Sequence, residues 1–181
     1  MTVVTDTHKL HKHFGSVIFN LDWPSGCEVV LDQACGGHQQ IPLFCSETKS
    51  RINQLCKVDI LLIQDNHVRI LIEIDESDIK PTHVCGKFLT SALASYYIHR
   101  SKRNCPIPMA NHVLFVQIVD TAPLSTETDK RKQFCVIERN IQERLPLKGS
   151  QITAYHLFCV SDVNRETDVV VSCIDHFLKT T

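Results

Sequence analysis

The sequence predicts a mixed α/β fold: a central mixed β-sheet flanked by helices on both faces. Two observations lead to this prediction. The apolar runs 58–63 and 68–74 flank turn-forming residues at 64–67, which is typical of a hairpin of two buried strands. Helical and extended patterns then alternate along the rest of the chain. Such an order is typical of a sheet that is covered on both faces.

The other elements are predicted from local periodicity and from turn residues. A first helix is expected over residues 8–19, with Asp6 or Thr7 as its cap, and the polar segment 46–55 is expected to form a loop or a helical turn. A second helix is expected from Pro81 to about His99, with one face formed by Val84, Phe88, Leu89, Ala92 and Tyr96. The remaining predictions are strands at 28–31, 41–44, 113–119 and 152–160, and helices at 129–145, with Phe134, Ile137, Ile141 and Leu145 inward, and at 167–178.

Composition limits the possible function classes. The chain has 181 residues, of which 43% are hydrophobic and 22% charged, and this predicts a single domain over residues 1–181. A formal net charge of -1 excludes a globally basic surface, so a nucleic-acid partner would be bound by local patches. The chain lacks a membrane-length apolar run and an N-terminal apolar signal segment, so we expect a cytoplasmic protein without a membrane partner.

Cysteine and histidine residues do not form a recognisable motif. The nine cysteines are dispersed and contain no Cys-x-x-Cys pair, so they are interpreted as reduced thiols that act as small core residues. His8 and His11 share a helix face that His13 does not. A metal site on that face is one interpretation, and a solvated helix surface is the favoured one.

Four acidic residues border the predicted hairpin. Asp59 stands near the start of its first strand, and Glu73, Asp75 and Glu76 stand at the end of the second. Because side chains alternate along a strand, Glu73 and Asp75 are expected on one face, with Asp59 opposite them across the hairpin. Three carboxylates in that arrangement would suit a hard cation such as Mg²⁺. The alternative is a polar rim at the edge of the sheet.

At these residues the chain resembles the PD-(D/E)XK nuclease superfamily, which includes type II restriction endonucleases. Val58-Asp59 is similar to the first half of the motif and Glu73-Ile74-Asp75 to the second, while the order of elements is similar over residues 8–120. The resemblance implies a restriction-endonuclease-like fold and a Mg²⁺- or Mn²⁺-dependent endodeoxyribonuclease. It also implies that Asp59, Glu73, Asp75 and the backbone carbonyl of Ile74 bind the metal.

The chain departs from the motif of this superfamily at two positions. Val58 replaces the nominal proline, and Asp75 stands where the superfamily usually has lysine. Lys87, on the predicted second helix, is the candidate substitute for that lysine, and Lys80 is a second candidate. An ammonium group at this position would stabilise negative charge in phosphoryl transfer.

Local basic groups predict where DNA would bind. One group follows the second predicted helix, one opens the third, and one precedes the hairpin. They comprise Arg100, Lys102 and Arg103; Lys130, Arg131 and Lys132; and Lys49 and Arg51. Cleavage of both strands of a duplex needs two active sites, so a homodimer is expected.

Two other function classes were weighed against the nuclease. The first is a catalytically inactive nuclease-like module that serves as a DNA-binding or assembly subunit, consistent with the missing lysine. The second is a metal-independent enzyme that uses a cysteine nucleophile, which lacks a histidine partner at a recognisable spacing.

Overall fold

The computed structural model describes residues 8–77, 79–124 and 129–180. The chain contains a short 3-10 helix at Arg100–Lys102. In chain order the helices and strands are α1 (Lys9–Asn20), β1 (Cys27–Leu31), β2 (Ile41–Phe44), β3 (Gln54–Val58), β4 (Ile60–Gln64), β5 (His67–Asp75), α2 (Pro81–Ala92), β6 (Tyr96–Tyr97), β7 (Ile107–Asp120), α3 (Asp129–Gln142), β8 (Ile152–Val160) and α4 (Val163–Thr180).

The strands form one mixed sheet, and this confirms the predicted α/β class. Strands β1, β4 and β5 are antiparallel neighbours, and β7 and β8 continue the sheet in parallel with β5. The start of β7 also pairs with β6, which leads through β2 to β3. The parallel connections from β5 to β7 and from β7 to β8 each contain a helix, as parallel strand order requires.

Helices cover both faces of this sheet. Alternate residues of β5 point to opposite faces: Ile70, Ile72 and Ile74 pack with α1 and α4, and Leu71 packs with α2 and α3. Both faces are therefore apolar, as expected for strands buried on two sides. The inward residues predicted for the third helix are confirmed, because Phe134 is fully buried and Ile137, Ile141 and Leu145 pack around the same core.

The predicted hairpin is present and determines the register of the acidic residues. Asp65 and Asn66 have φ angles of 50° and 60°, the left-handed conformation that a two-residue hairpin turn requires. The register places Ile60 opposite Ile72. Residue 59 therefore lies opposite the stretch that carries Glu73 and Asp75.

The prediction of one continuous strand over 58–63 was wrong. The chain bends at Asp59, which separates β3 from β4, and β3 includes residues 54 and 55, where a loop or helical turn was expected. Strand β3 has exposed Gln54 and Lys57. Its pairing with β2, rather than an apolar pattern of its own, explains why it forms a strand.

The prediction that the second helix continues to His99 was also wrong. Helix α2 ends at Ala92, and Tyr96 belongs to β6, which pairs with both β2 and β7. Leu89, expected on the buried face, is half exposed. Cross-strand pairing and the complete burial of Tyr97 override the helical spacing here.

Several smaller differences concern the ends of elements. Strand β7 begins six residues earlier than predicted, α3 ends three residues earlier, and α4 begins four residues earlier. The proposed caps Asp6 and Thr7 lie outside the described residues. All nine cysteines are free thiols, but the expectation that they act as core residues was wrong for four that lie at the surface: Cys45, Cys85, Cys105 and Cys135. In the described ranges, none of the helices has the length and apolar character needed to cross a bilayer.

Candidate active site

Asp59 lies at the bend between β3 and β4, where it is bonded to the end of β5. Its backbone N–H donates to the Ile72 carbonyl at 3.1 Å, and its Oδ2 accepts the Ile74 N–H at 2.7 Å. Because Asp59 lies at a bend, its side chain does not follow the regular alternation of strand side chains between the two faces of the sheet. It therefore lies at the edge of the sheet, within reach of both faces.

Glu73 and Asp75 share one face of β5, and Lys87 of α2 lies against both of them. The Lys87 Nζ is 2.8 Å from Glu73 Oε2 and 2.8 Å from Asp75 Oδ1. Glu73 is 3% exposed and Asp75 is 5% exposed, so these carboxyl groups have lost nearly all contact with water. The expected approach of Lys87 to the carboxylates is therefore observed, whereas its catalytic role remains a prediction. Lys80, the rival candidate, is exposed at the N-cap of α2.

A buried hydrogen-bond chain holds the second oxygen of Asp75. Gln117 Nε2 donates to Asp75 Oδ2 at 3.0 Å, and the Tyr155 hydroxyl donates to Gln117 Oε1 at 3.1 Å. These two residues were not among the predicted site residues. The signal for Gln117 was present, because it is the one polar residue within the apolar run 113–119. Tyr155 had no comparable sequence signal.

The charges of this cluster depend on the balance between burial and pairing. Burial and the neighbouring Asp59 carboxylate raise the pKa of Glu73 to about 8, although Lys87 acts in the opposite direction. Burial opposes the charged form of Lys87, but attraction to Glu73 and Asp75 outweighs it, so the pKa of Lys87 is raised. Lys87 is therefore charged at neutral pH, and Glu73 holds a proton there unless further positive charge approaches.

Asp59 has the opposite electrostatic balance. Its burial is outweighed by the hydrogen bonds from His11 and from the Ile74 N–H, and by the positive charge of Lys87, so its pKa is lowered. Asp59 is consequently the carboxylate of the site that carries a permanent negative charge. Its side chain retains 17% exposure, which makes it more accessible than Glu73.

The three carboxylates predicted to bind a metal come near one another but do not converge on a single point. Lys87 stands between Glu73 and Asp75, and Asp59 interacts with Glu73 through charge. Among the described residues, a compact set of metal-ligating atoms within 4.8 Å of one another is formed by His8, His11 and Glu76 instead. The Ile74 side chain is buried on the α1 face, and the metal-binding role of its carbonyl remains a prediction.

The His8, His11 and Glu76 group lies at the other face of the same sheet edge. Glu76 Oε2 is 2.9 Å from His11 Nδ1 and 3.6 Å from His8 Nδ1. Glu76 Oε1 also accepts the Leu10 N–H at the start of α1. The expectation of a solvated histidine surface was wrong for His11, which is buried because α1 packs this side chain against the end of β5.

A cleft of about 460 Å³ opens at this edge of the sheet. Its walls come from the start of α1, the end of β5, the first turns of α2 and the end of β7. The lining residues are His8, Lys9, His11, Ile74, Asp75, Glu76, Ser77, His83 and Asp120. Asp75 links this cleft to the lysine cluster.

The predicted DNA-binding residues are divided between the two ends of the sheet. Arg131 Nη2 donates to the Thr121 carbonyl at 3.1 Å, which places the group Lys130 to Lys132 just beyond the end of β7, near Asp75. Lys132 is exposed, with its Nζ 3.9 Å from Asp129 Oδ1. This group alone lies at the same end as the carboxylates.

The other basic residues lie at the far end. Lys102 Nζ donates a hydrogen bond to Glu28 Oε1 at 2.6 Å, and Lys49 Nζ donates one to Asn104 Oδ1 at 2.7 Å. Arg51, Arg100 and Arg103 are exposed in the same region. Glu28, the partner of Lys102, pairs across β1 and β4 with Ile63, and Ile63 pairs with Val68 at the start of β5. Lys102 therefore lies beside the start of β5. Val68 and Asp75 are seven residues apart, which corresponds to about 23 Å along the strand. These basic residues are therefore far from the carboxylates at the end of β5. The prediction that residues 99–103 close a helix was wrong, because they follow β6 and form a 3-10 turn.

Comparisons of the chain with models of protein families, with curated proteins and with solved structures gave no match.

Proposed function

We propose that this chain is a metal-dependent endonuclease that hydrolyses DNA phosphodiester bonds and has a restriction-endonuclease-like fold. One observation carries the proposal: Lys87 of α2 contacts both Glu73 and Asp75 at 2.8 Å, beside the charged Asp59. Two acidic positions on a hairpin and a lysine from the next helix would supply the acidic and basic groups that the sequence resemblance implies. The lysine comes from α2 instead of the end of β5.

The carboxylate oxygens of Asp59 and Glu73 are the type of ligand that a hard divalent cation such as Mg²⁺ or Mn²⁺ prefers. Burial and the neighbouring Asp59 carboxylate raise the pKa of Glu73 to about 8, although Lys87 acts in the opposite direction. A cation bound by Asp59 and Glu73 would stabilise the ionised form of Glu73, because hard cations prefer carboxylate oxygens. When bound, such a cation supplies a hydroxide-like nucleophile and offsets charge on the phosphate.

The protein groups have separate roles in this proposal. Asp59 provides a permanent negative charge, and its Oδ2 is fixed in position by the Ile74 N–H at 2.7 Å. Lys87 would exchange one carboxylate contact for an oxygen of the scissile phosphate, where its charge stabilises the transition state. Gln117 and Tyr155 hold Asp75 in place from the opposite side.

Positive charge for DNA binding is available at the correct end of the sheet. Lys130 and Lys132 flank Arg131, which is anchored at the end of β7. Because phosphate contacts position a duplex without reading its sequence, this group would orient the DNA backbone across the cleft. A homodimer would bring two such sites to the two strands.

DNA cleavage with defined variants tests the proposal. Plasmid and genomic DNA are incubated with the protein and either Mg²⁺ or Mn²⁺. We expect Asp59→Asn and Glu73→Gln to abolish cleavage, because each removes a metal-binding charge at nearly constant volume. Glu143→Gln changes an exposed carboxylate on the surface and should leave the rate unchanged. Circular dichroism confirms that each variant is folded. Cleavage at the parental rate by both site variants would refute the assignment.

A second candidate function is a catalytically inactive DNA-binding or assembly subunit. The specific observation in its favour is that the Lys87 ammonium already pairs with both buried carboxylates, as a structural ion pair would. Calorimetric titration separates the two candidates. An active site should bind Mg²⁺ or Mn²⁺ in a manner lost in Asp59→Ala, whereas an inactive module should show no such binding.

A further inference from the structure

We propose that His8, His11 and Glu76 form a binding site for Zn²⁺, separate from the carboxylate and lysine cluster. His8 is the N-cap residue of α1, His11 lies in the first turn of this helix, and Glu76 directly follows β5. Their ligand atoms all lie within 4.8 Å of one another. Two imidazoles and one carboxylate are a ligand set found in zinc enzymes that keep one coordination position open.

The two distances from Glu76 to the histidines are close to those that zinc requires. Glu76 Oε2 is 2.9 Å from His11 Nδ1 and 3.6 Å from His8 Nδ1. Two tetrahedral ligands that are each 2.0 to 2.1 Å from zinc lie about 3.3 Å apart. The observed pair of distances brackets that separation. Small side-chain rotations would therefore convert the hydrogen-bonded group into a metal site.

Two contacts orient the ligands before any metal binds. Glu76 Oε1 accepts the Leu10 N–H, which fixes the carboxylate against α1 and directs Oε2 toward the histidines. His11 Nε2 lies 3.6 Å from Asp59 Oδ2. When a metal ion replaces the proton that Nδ1 shares with Glu76, the Nε2 proton can stay turned toward Asp59, and the lone pair of Nδ1 then faces the metal. A metal-ligating histidine is commonly held in this way by a carboxylate, which sets its tautomer and its basicity.

The group differs in chemistry and in solvation from the buried carboxylates. Imidazole nitrogen suits zinc, whereas an all-oxygen set suits Mg²⁺. The His8 side chain is 55% exposed, and all three residues line the 460 Å³ cleft. The fourth coordination position therefore faces open space, where water or a substrate oxygen can bind. Asp59 connects the two sites, since it orients His11 on one side and interacts with Glu73 on the other.

Titration of the full chain with Zn²⁺, followed by calorimetry in a competing chelator, tests this site. We expect one zinc ion per chain in the parent protein. His8→Ala removes a ligand at an exposed position and should weaken binding by about 100-fold or more, and Glu76→Gln should have a similar effect. Asp59→Asn removes only the group that orients His11, and should weaken binding by about 10- to 100-fold.

Matched controls separate this site from other zinc-binding groups and from the proposed nuclease. His13→Ala replaces another α1 histidine, which bonds Thr167 Oγ1 instead of Glu76, and should leave zinc affinity unchanged. Glu73→Gln should also leave it unchanged while it abolishes Mg²⁺-dependent cleavage, so either proposal can fail without the other. Co²⁺ bound in place of zinc should show a tetrahedral spectrum without thiolate charge-transfer bands. Three results would overturn the site: no stoichiometric binding, parental affinity in both His8→Ala and Glu76→Gln, or loss of binding on thiol alkylation.

Discussion

The acidic side chains at the end of β5 lie in two environments that differ in their access to water. On the α2 face, Glu73 and Asp75 are almost completely buried and depend on Lys87 for positive charge. On the α1 face, Glu76 is paired with two histidines at the wall of a cleft. Carboxyl groups on one face of the sheet are therefore shielded from water, and the one on the other face is accessible to it. We call Glu73, Asp75 and Lys87 the dry cluster.

The difference shows that burial, the charge of neighbouring groups and the number of hydrogen-bond donors together set the charge of each carboxyl group. Glu73 has one strong donor, Lys87, and burial raises its pKa to about 8. Asp59 is also substantially buried, yet its pKa is lowered by the neighbouring His11 side chain, 3.6 Å away, and by the hydrogen bond from the Ile74 N–H. A buried carboxylate stays ionised where hydrogen-bond donors replace its lost water.

The largest effect is expected from removal of the positive charge of the dry cluster. Lys87→Met should lower the free energy of unfolding by about 3 to 5 kcal/mol, because it leaves buried carboxyl groups without a counter-charge. The same change should slow DNA cleavage by about 10²-fold, on the scale of one lost electrostatic stabiliser. Urea denaturation and a cleavage assay measure the two effects.

Two additional variants show whether the effect of Lys87 is electrostatic. Adding Glu73→Gln and Asp75→Asn to Lys87→Met should recover much of the lost stability, since the triple variant buries no unpaired charge. Lys80→Ala, at the exposed N-cap of α2, should leave stability and cleavage near the parental values. If the triple variant is no more stable than Lys87→Met, the ion-pair account of this cluster is wrong.

A smaller effect on stability is expected for Glu76, on the solvent-accessible α1 face of the sheet. Glu76→Ala removes the acceptor of the Leu10 N–H at the start of α1 and should cost about 1 kcal/mol, the usual magnitude for a lost helix cap. Solvent can reach the freed groups, so the large penalty of the dry cluster does not arise. Glu143→Ala, at an exposed position outside both clusters, is the matched control. A cost comparable to that of Lys87→Met would contradict the distinction between the two environments.

The smallest effect concerns a group whose pKa is controlled by hydrogen bonding more than by burial. Hydrogen bonds with Cys173 and Glu138 raise the pKa of His156 from 6.5 to about 10, and they outweigh the opposing effect of burial. The folded state thus binds this proton more tightly than the unfolded state. The resulting stability is fully present below about pH 6.5 and is lost as pH rises toward about 10.

NMR titration of His156, together with urea denaturation at several pH values, measures this shift. Because the His156 side chain is 42% exposed, solvent screening should keep the change in stability small. Cys173→Ala removes the leading cause and should return the pKa of His156 toward 6.5. An ordinary histidine titration in the parent protein would show that these hydrogen bonds do not hold the proton.

Local patterns were sufficient for most of the fold and for part of the site. The hairpin around Asp65 and Asn66 was predictable because turn residues separate two apolar runs. The approach of Lys87 to the carboxylates was predictable because helix α2 must return over the sheet after β5. Helix α2 was predicted to be too long because helical spacing carries no information about the strand pairing that Tyr96 and Tyr97 make.

The parts of the site that depend on distant residues were missed. The pairing of His11 with Glu76 joins positions 65 residues apart, and the contact of Tyr155 with Gln117 joins positions 38 residues apart. Neither pairing follows from a local pattern. The basic residues likewise looked equivalent along the chain, but the sheet places Lys102 and Lys130 at opposite ends.

The sequence by itself determined the mixed α/β class, the hairpin and the shared face of Glu73 and Asp75, because the period-two alternation of a strand is a local property. Only the tertiary structure decided which of these acidic groups are dry, which donors reach them and which histidines lie beside them. Desolvation and charge pairing depend on the elements that pack against a side chain. For this protein those elements are α1 and α2, which lie on opposite faces of the same strand.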